Sequence, residues 1–351
     1  MNAVRIARDV APQARVTLAH GGGGRAMRRL IEDTLLPAFQ NPLLAPLEDQ
    51  ARIPLGPLAD AGDRLAFTTD TYVVSPIEFP GGDIGKLAVC GTVNDLAMSG
   101  ARPLYLSCGL VLEEGLELAT LEKVVQSMAR AAREAGVAIV TGDTKVVERG
   151  AADRVFINTA GIGVIAAGVN ISAARAVPGD VVIVNGTLGD HGVAILLARN
   201  ELALDAPVSS DCQPLHGLVA AMLAACPDVH CLRDATRGGV ATVLNEFATS
   251  SRVCIRLLEA AVPIDEKVRG ACEILGLDPL YLANEGKLVA VVPRAEADVV
   301  LAAMRAHPAG TASAIVGEVT AAPSGSVILS TAFGGDRIVG MLVGEQLPRI
   351  C

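Results

Sequence analysis

A chain of 351 residues is longer than one hydrophobic core supports, so its length predicts two domains of ordinary size. Hydrophobic residues make up 51% of the chain, which excludes a mainly disordered protein. The formal net charge is −9 and no basic stripe with interleaved aromatic residues is present, which argues against a nucleic-acid partner. The eight cysteines include no CxxC pair, and this pattern indicates reduced thiols in a cytoplasmic protein.

Residues 1–50 are expected to form a partly mobile segment that carries a glycine-rich loop. The loop reads HGGGG over residues 20–24 and precedes an arginine-rich helical segment. Backbone N–H groups of Gly21, Gly22 and Gly23 can approach a phosphate closely, and the helix N-terminus that follows adds positive potential. A flexible linker explains the same pattern equally well, so both interpretations stay open. A Walker-type phosphate loop, GxxxxGK[ST], does not occur in the chain.

The first half of the chain mixes strand and helix patterns. Strands are predicted for RLAFTTD, VAIVTGD and VFINTAGIGVI, and helices for GGDIGKLAVCGTVNDLAMSG and residues 116–135. The uncharged stretch 155–174 is a candidate membrane span by charge alone. Its three glycines and short β-branched runs instead predict two buried strands around a glycine bend, so no membrane association is expected.

The second half is expected to begin near residues 170–176. Strands are predicted at VVIVNG, KLVAVV and SAIVGEV, and helices near 190–199, 238–248 and 294–306. Because strands and helices do not alternate regularly, each half is predicted to be an α+β unit with an antiparallel or mixed sheet. The expected divisions are an N-terminal domain over 51–170, a C-terminal domain over 171–343 and a mobile tail over 344–351.

Asp95 lies on the buried face of the predicted helix GGDIGKLAVCGTVNDLAMSG. It falls four residues after Gly91 and three before Met98, on a stripe of residues that recur at helical spacing. A carboxylate buried alone is costly, so Asp95 should be paired or bound to a metal ion. A buried helix cap or a structural salt bridge is the alternative.

Three further aspartates follow predicted strands or precede glycine-rich turns. Asp70 ends FTTD, Asp143 ends IVTGD, and Asp234 stands in LRDATRGGV, where capping of the next helix is an alternative. With Asp95 they provide four acids without a histidine or cysteine cluster. Such oxygen ligands are typical of Mg²⁺ that holds the phosphates of ATP, so a Mg²⁺–ATP site is expected at these acids.

Lys145 and Glu285 are candidate catalytic residues. Lys145 follows Asp143 in GDTKVV, where its charge can neutralise phosphate or developing negative charge. Glu285 precedes a predicted strand in LANEGKL and can act as a general base or a metal ligand. A solvated lysine and an exposed turn acid are the alternatives, and the local sequence does not decide between them.

The chain ends in EQLPRIC, with Cys351 as its final residue. A thiolate is the best side-chain nucleophile near neutral pH. Pro348 blocks regular structure, and an extended tail from Gly344 reaches roughly 25 Å at about 3.3–3.6 Å per residue. Such a tail can carry a substrate on Cys351 between two active sites, whereas an incidental terminal cysteine is the alternative.

Together these segments resemble the HypE family of hydrogenase maturation proteins over nearly the whole chain. The resemblance is carried by HGGGG, FTTDTYVVSPIEFPGGDIGKLAVCGTVNDLAMSGARP, LVLEEG, IVTGDTKVVERG, RDATRGGVATVLNE, NEGKL and the terminal PRIC. GDIGKLAVCGTVNDLAM and PRIC are together highly specific. More loosely, the chain is similar to the superfamily of aminoimidazole ribonucleotide synthetase, selenophosphate synthetase and thiamine monophosphate kinase, whose members lack the C-terminal cysteine.

The resemblance implies a reaction, partners and an assembly. A carbamoyltransferase, HypF, places a carbamoyl group on Cys351, and ATP drives its dehydration to a thiocyanate. The cyanide then passes to iron on a HypC–HypD complex, for a [NiFe]-hydrogenase. The resemblance also implies two α+β domains of the aminoimidazole ribonucleotide synthetase type, with ATP binding and dimerisation in the N-terminal domain, whose sheets pair across a homodimer.

By the same resemblance, individual residues acquire roles. Asp70, Asp95, Asp143 and Asp234 match the Mg²⁺–ATP acids of the family. Lys145 and Glu285 match residues implicated in the dehydration, with Glu285 as the proton acceptor. The HGGGG loop differs from the common family form, which often has a small residue among its glycines.

Two other classes of function remain open from the sequence. A non-catalytic scaffold that presents a cysteine to partners has no use for a buried Asp95. A kinase or ligase of the superfamily that acts on a free small molecule has no use for Cys351.

Overall fold

The computed structural model describes residues 14–202, 208–344 and 347–351. The predicted mobile N-terminal segment therefore falls in part on residues 1–13, outside the described ranges. The strands of the first half are β1 (Arg64–Tyr72), β2 (Glu78–Phe79), β3 (Gly82–Asp83), β4 (Ala101–Glu113), β5 (Ala138–Val147) and β6 (Val155–Ile165). Its helices are α1 (Arg25–Leu30), α2 (Leu36–Phe39), α3 (Gly56–Ala59), α4 (Ile84–Met98) and α5 (Leu118–Glu134).

Four of these strands form a mixed sheet in the order β1-β6-β4-β5. β4 and β5 are parallel, and the other neighbours are antiparallel. The three strands predicted from the sequence are confirmed, but the prediction of two strands within 155–174 is wrong. β6 runs straight through Gly161, where a Cβ would lie 2.8 Å from Leu96 and Thr92 of α4, so glycine serves close packing here and not a bend.

α4 and α5 cover one face of this sheet. Asp83 caps α4, because its carboxylate accepts the N–H groups of Gly85 at 2.8 Å and Lys86 at 2.9 Å. α5 confirms the helix predicted over 116–135, and its apolar stripe is buried against α4 and the sheet.

The opposite face of the same sheet, here called the outer face, carries exposed apolar side chains. Phe67 of β1 is 71% exposed and pairs with Ile162 of β6, which is partly exposed. Phe156 shares this face, two positions before Asn158 on β6.

The second half contains β7 (Val181–Val184), β8 (Cys231–Asp234), β9 (Cys254–Leu258), β10 (Leu288–Val292), β11 (Ala314–Thr320), β12 (Ser326–Ser330) and β13 (Asp336–Ile338). Its helices are α6 (Asp190–Ala198), α7 (His216–Ala225), α8 (Gly239–Ser251), α9 (Glu266–Leu275) and α10 (Ala297–Ala306). The strands form a seven-stranded sheet in the order β13-β12-β9-β11-β7-β10-β8. β9 and β12 are parallel and the remaining pairs antiparallel, so a mixed α+β architecture holds here too.

Helices pack on both faces of the seven-stranded sheet. Val182 of β7 and Val291 of β10 pack in one core with α8, while Ile183 and Ala290 pack in another with α7 and α10. Burial on both faces explains why these strands read as continuous apolar runs. No helix in the described ranges is long and apolar enough to cross a membrane.

The two halves meet where α4 contacts α7 and β8. Ala97 and Met98, at the end of α4, belong to the core that includes Leu215 and Met222 of the second half. This junction places residues of β1, α4 and β8 beside one another.

Candidate functional site

A cavity of about 210 Å³ lies at the junction of the two halves. Its walls come from β1, α4, the end of β8, the segment before β10 and the end of the chain. The lining residues are Thr69, Asp70, Gly91, Asp95, Asp234, Thr236, Arg237, Glu285 and Cys351. The fold thus brings together five predicted site residues, namely Asp70, Asp95, Asp234, Glu285 and Cys351.

Asp95 projects from α4 toward β1. The Thr68 hydroxyl donates a hydrogen bond to Asp95 Oδ2 at 3.0 Å. One turn earlier, a Cβ at Gly91 would lie 2.2 Å from Tyr72 Oη, so glycine is what allows the helix to approach β1 this closely. Asp83 caps α4, and no ion pair of Asp95 occurs among the described residues. Neither structural alternative for Asp95 therefore holds.

Asp70 and Asp234 reach the cavity from two different strands. Asp70 Oδ1 accepts the N–H of Thr71 at 2.7 Å and lies 3.9 Å from Arg237 Nη2. Asp234 is the last residue of β8, and the cap position of α8 is occupied by Gly238. A helix-cap role for Asp234 is therefore wrong.

Two of these carboxyl groups bind protons more tightly than usual. Burial raises the pKa of Asp95 to about 6, opposed by the Thr68 hydrogen bond and reinforced by the charge of Asp70. Burial raises the pKa of Asp234 to about 7, and the charge of Asp95 is the next cause. Crowded, desolvated carboxylates of this kind are stabilised by a cation.

The acids fit Mg²⁺ only in combination with phosphate oxygens. Within the described ranges, no three His, Cys, Asp or Glu side chains are close enough to hold a metal ion by themselves. Mg²⁺ usually takes one or two protein carboxylates and completes its octahedron with water and substrate phosphates. Asp95 and Asp234 supply hard oxygen donors that suit such a site, which stays a prediction.

Glu285 is a buried carboxyl group that faces the cavity. It is 3% exposed, and its Oε1 has no hydrogen-bond partner among the described residues. Burial raises the pKa of Glu285 well above its ordinary value, with the charges of Asp211 and Asp234 as further causes. The alternative of an exposed turn acid is wrong. An unpartnered polar atom beside a cavity is a candidate contact for a ligand.

The main chain at Glu285 is held from two sides. Asp211 accepts the N–H of Glu285 at 3.0 Å and of Gly286 at 3.2 Å, and it pairs with buried Lys287 at 3.1 Å. Asn94 Nδ2 donates to the Glu285 carbonyl at 3.3 Å. These contacts aim the Glu285 side chain at the cavity.

Cys351 closes the cavity at the end of the chain. Val73 donates its N–H to the Cys351 backbone oxygen at 3.0 Å, and the preceding Ile350 is buried. The described part of the tail is therefore docked against the residues that follow β1. Its predicted mobility stays a prediction, and residues 345 and 346 lie outside the described ranges.

Arg237 is a cavity residue that the sequence analysis missed. The negative charge of Cys351 is the largest cause that raises the pKa of Arg237, and Asp70 and Glu285 add to it. The available signal was its place in RDATRGGV, three residues after Asp234. Asp211 and Asn94 carried no comparable local signal.

Asp143 and Lys145 lie elsewhere. They pair with each other at 2.7 Å on β5, both exposed, and the hydrogen bond from Lys145 lowers the pKa of Asp143. In the sheet, Asp143 is opposite Gly109, Gly109 is opposite Asn158, and Asn158 is opposite Thr71. Because side chains alternate along a strand, Asp143 points to the outer face and Asp70 to the opposite face. Their strands, β5 and β1, are three strand spacings apart, which is about 14 Å.

The glycine-rich loop lies beside β5. A Cβ at Gly21 would be 2.7 Å from the Val146 nitrogen, and Gly23 lines a cavity of about 590 Å³ together with Asp143. Gly22 follows the 3-10 turn Leu18–Gly21 and donates its N–H to Ala19 at 3.4 Å. The predicted ATP residues are thus divided between two places in one chain.

Family models match most of the chain. The model described as AIR synthase related protein, N-terminal domain, matches residues 48–165, and its C-terminal counterpart matches residues 177–330. Carbamoyl dehydratase HypE of Rhodobacter capsulatus is 60% identical over 337 residues, which are 96% of this chain and 98% of that protein. The predicted fold of two α+β domains of the aminoimidazole ribonucleotide synthetase type is confirmed.

Solved structures agree with this assignment. A crystal structure of the hydrogenase maturation protein HypE in complex with ATP superposes with a TM-score of 0.91, at 53% identity over 95% of this chain and 99% of that chain. The HypE chain of a HypE–HypF complex gives a TM-score of 0.78 at 48% identity, over 89% of this chain and 99% of that chain.

Asp95→Asn should stabilise the metal-free protein at pH 8. Because folding raises the pKa of Asp95, ionisation of this carboxyl group destabilises the folded protein. The free energy of unfolding is therefore unaffected below about pH 4, where Asp95 is protonated, and falls as pH rises through about 6. Asparagine lacks this penalty and still accepts from Thr68, so we expect a gain of about 1–2 kcal/mol at pH 8 that vanishes near pH 4. Urea unfolding in chelator across this range measures it, with Asp60→Asn, at an exposed position, as control. A loss of stability at pH 8 would show that the carboxylate is well paired.

Proposed function

The chain belongs to the HypE family of hydrogenase maturation proteins, and from this membership we propose that it is an ATP-dependent carbamoyl dehydratase acting on its own terminus. A carbamoyl group carried on Cys351 is dehydrated to a thiocyanate, which supplies the cyanide ligand for the iron of a [NiFe]-hydrogenase. The observation that carries the proposal is the position of Cys351, in one cavity with three acids and with Glu285, whose Oε1 has no hydrogen-bond partner in the described part of the chain.

The chemistry explains the need for ATP. The thiocarboxamide oxygen attacks the γ-phosphorus of ATP, and ADP leaves. The C–O bond then breaks, the oxygen departs in inorganic phosphate, and loss of both N–H protons leaves S–C≡N. Phosphorylation is required because an amide oxygen is a poor leaving group.

Glu285 is suited to remove an N–H proton. Its carboxyl group lines the same cavity as Cys351 and has a raised pKa, which makes it a stronger base once ionised. The low-dielectric surroundings also exclude water that would hydrolyse an activated carbamoyl group. Arg237, close to Asp70 and Cys351, is placed to stabilise negative charge on the transferring phosphoryl group.

Asp70, Asp95 and Asp234 are the residues that would hold Mg²⁺–ATP at this cavity. The ion would supply charge neutralisation of the phosphates. The raised pKa values of Asp95 and Asp234 support this role, since a bound cation relieves the crowding of their charges.

Asp143 and Lys145 can take part only if a second subunit brings them to the acids. They share the outer face with Phe67, whose exposure favours a homodimer in which outer faces pack together. We therefore assign Gly21, Gly22, Gly23, Asp143 and Lys145 of the partner to the triphosphate bound by the acids of the first subunit.

The same thiol must meet other proteins before and after dehydration. HypF is the proposed carbamoyl donor, because a family member forms a HypE–HypF complex. A HypC–HypD complex is the proposed cyanide acceptor. Each exchange needs the tail to leave the cavity, which is the mobility predicted for residues 344–351.

A mass spectrum of the C-terminal peptide tests the function. Incubation with the carbamoyltransferase, carbamoyl phosphate and ATP should add one carbamoyl group to Cys351. The modified protein, once isolated, should lose one water only when Mg²⁺ and ATP are added. Cys351→Ser should bind ATP normally and yield no thiocyanate, because a hydroxyl is a far weaker nucleophile. Modification of Cys90 or Cys231 in place of Cys351 would refute the proposal.

Glu285→Gln should separate the two half-reactions. The variant keeps the shape of the side chain but has no basic oxygen, so it should accept the carbamoyl group while dehydration falls about a hundredfold or more. Quenched-flow analysis of the C-terminal peptide measures both steps, with exposed Glu273→Gln as the matched control. Dehydration at the wild-type rate would place the base elsewhere.

A heterodimer of Lys145→Ala and Asp95→Asn tests whether the site is shared between subunits. If Lys145 acts from the partner, one of the two sites in the heterodimer is intact, so differently tagged and co-purified subunits should recover about half of the wild-type activity. Each homodimer should be inactive, and light scattering should show dimers throughout. An inactive heterodimer would place Lys145 in the site of its own subunit, and an active Lys145→Ala homodimer would place it outside the site.

A further inference from the structure

We propose that His191 and Arg199 form a latch that holds the tail inward and are positioning residues for the dehydration at Cys351. The inference rests on the proposed function, which defines the step that the latch serves. Neither side chain lines the cavity with the acids. Both contact the backbone of the last four residues, in which every carbonyl accepts a hydrogen bond.

Arg199 joins the tail to the segment after β1. Its Nη2 donates to the carbonyls of Pro348 at 2.6 Å and Arg349 at 2.9 Å. Its Nε donates to the Ser75 carbonyl at 2.7 Å. Charge-assisted hydrogen bonds are stronger than neutral ones, and the planar guanidinium fixes their directions relative to one another. The Arg199 side chain thereby fixes the distance between the tail and the segment that follows β1.

His191 fixes the residue directly before the cysteine. Nε2 lies 2.8 Å from the Ile350 carbonyl, and Nδ1 lies 2.8 Å from Ser210 Oγ. Burial lowers the pKa of His191, so the ring is neutral. Because a carbonyl only accepts, Nε2 carries the proton and Nδ1 accepts from Ser210. Phe79 packs edge-on against the ring at 5.4 Å, which leaves the donor little freedom.

Main-chain pairing completes the docking. Val73 donates its N–H to Cys351 at 3.0 Å and Ser75 donates to Arg349 at 3.2 Å, the alternation of an antiparallel strand pair. Arg349 Nε returns a hydrogen bond to the Val73 carbonyl at 3.0 Å.

The contacts on the tail backbone do not involve the sulfur. These backbone contacts are open to both the loaded and the unloaded cysteine, so the latch can position either form. Since the carbamoyltransferase must reach the same sulfur, docking has to be reversible. Weakening the latch should accordingly expose the thiol and slow dehydration without slowing carbamoylation.

Thiol exposure tests the latch independently of any reaction. Arg199→Ala and His191→Leu should each raise the rate at which iodoacetamide alkylates Cys351 about tenfold. Loss of one charge-assisted or buried hydrogen bond should lower the ratio of docked to undocked tail by roughly that factor. The rate is read from the C-terminal peptide without ATP or partner. Arg294→Ala, which removes an exposed arginine remote from the tail, is the control. Unchanged alkylation in both variants would overturn the proposal.

Single-turnover dehydration tests the positioning role. Starting from carbamoylated protein and saturating Mg²⁺–ATP, both variants should form thiocyanate about tenfold more slowly, with unchanged ATP affinity and undiminished carbamoylation. His191→Gln keeps an N–H donor for Ile350 and should recover most of the rate. If a His191 variant loses ATP binding, carbamoylation and dehydration together, His191 is needed for folding, and its role in positioning the tail is overturned. Failure of the wild-type protein to form thiocyanate would refute the proposed function, while the alkylation result would still decide the latch.

Discussion

Negative charge buried at the junction of the two halves is the constraint on which the rest of this structure depends. Asp95, Asp234 and Glu285 lose water there, and each has a raised pKa because burial disfavours its charged form. The fold tolerates this cluster because other contacts hold the backbone of its residues. At Glu285, for example, the backbone N–H donates to Asp211, which forms a buried ion pair with Lys287. The free-energy cost of burying these ionised carboxylates favours binding of a cation, and thus of the Mg²⁺–ATP that the proposed function requires.

The first sheet divides its two faces between separate tasks. One face carries Asp70 and packs on α4, so it belongs to the junction cavity. The outer face carries Asp143 and Lys145 together with the exposed Phe67. Because strand geometry prevents a side chain from crossing its own sheet, one subunit cannot assemble the whole set of proposed ATP residues. The apolar outer face and the divided site therefore both support the proposed homodimer.

The backbone of the chain end makes several of the contacts that hold it. Arg199, His191 and Val73 bind carbonyl oxygens, and the reactive sulfur makes none of these contacts. This form of recognition suits a carrier residue whose chemical state changes during the reaction.

The amino-acid sequence by itself determined most of the secondary structure, because periodicity, capping and turn signals act over a few residues. It identified Asp95 on a buried helical face and Cys351 as a terminal thiol, but the prediction that Asp70 and Asp143 end their strands was wrong, since both lie within β1 and β5. Burial of Glu285 and the contact of Arg237 with the cavity were decided only by the tertiary structure, since they arise where distant segments meet. The separation of Asp143 from Asp70 was decided there too, because strand order and pairing register determine which face of a sheet each side chain occupies.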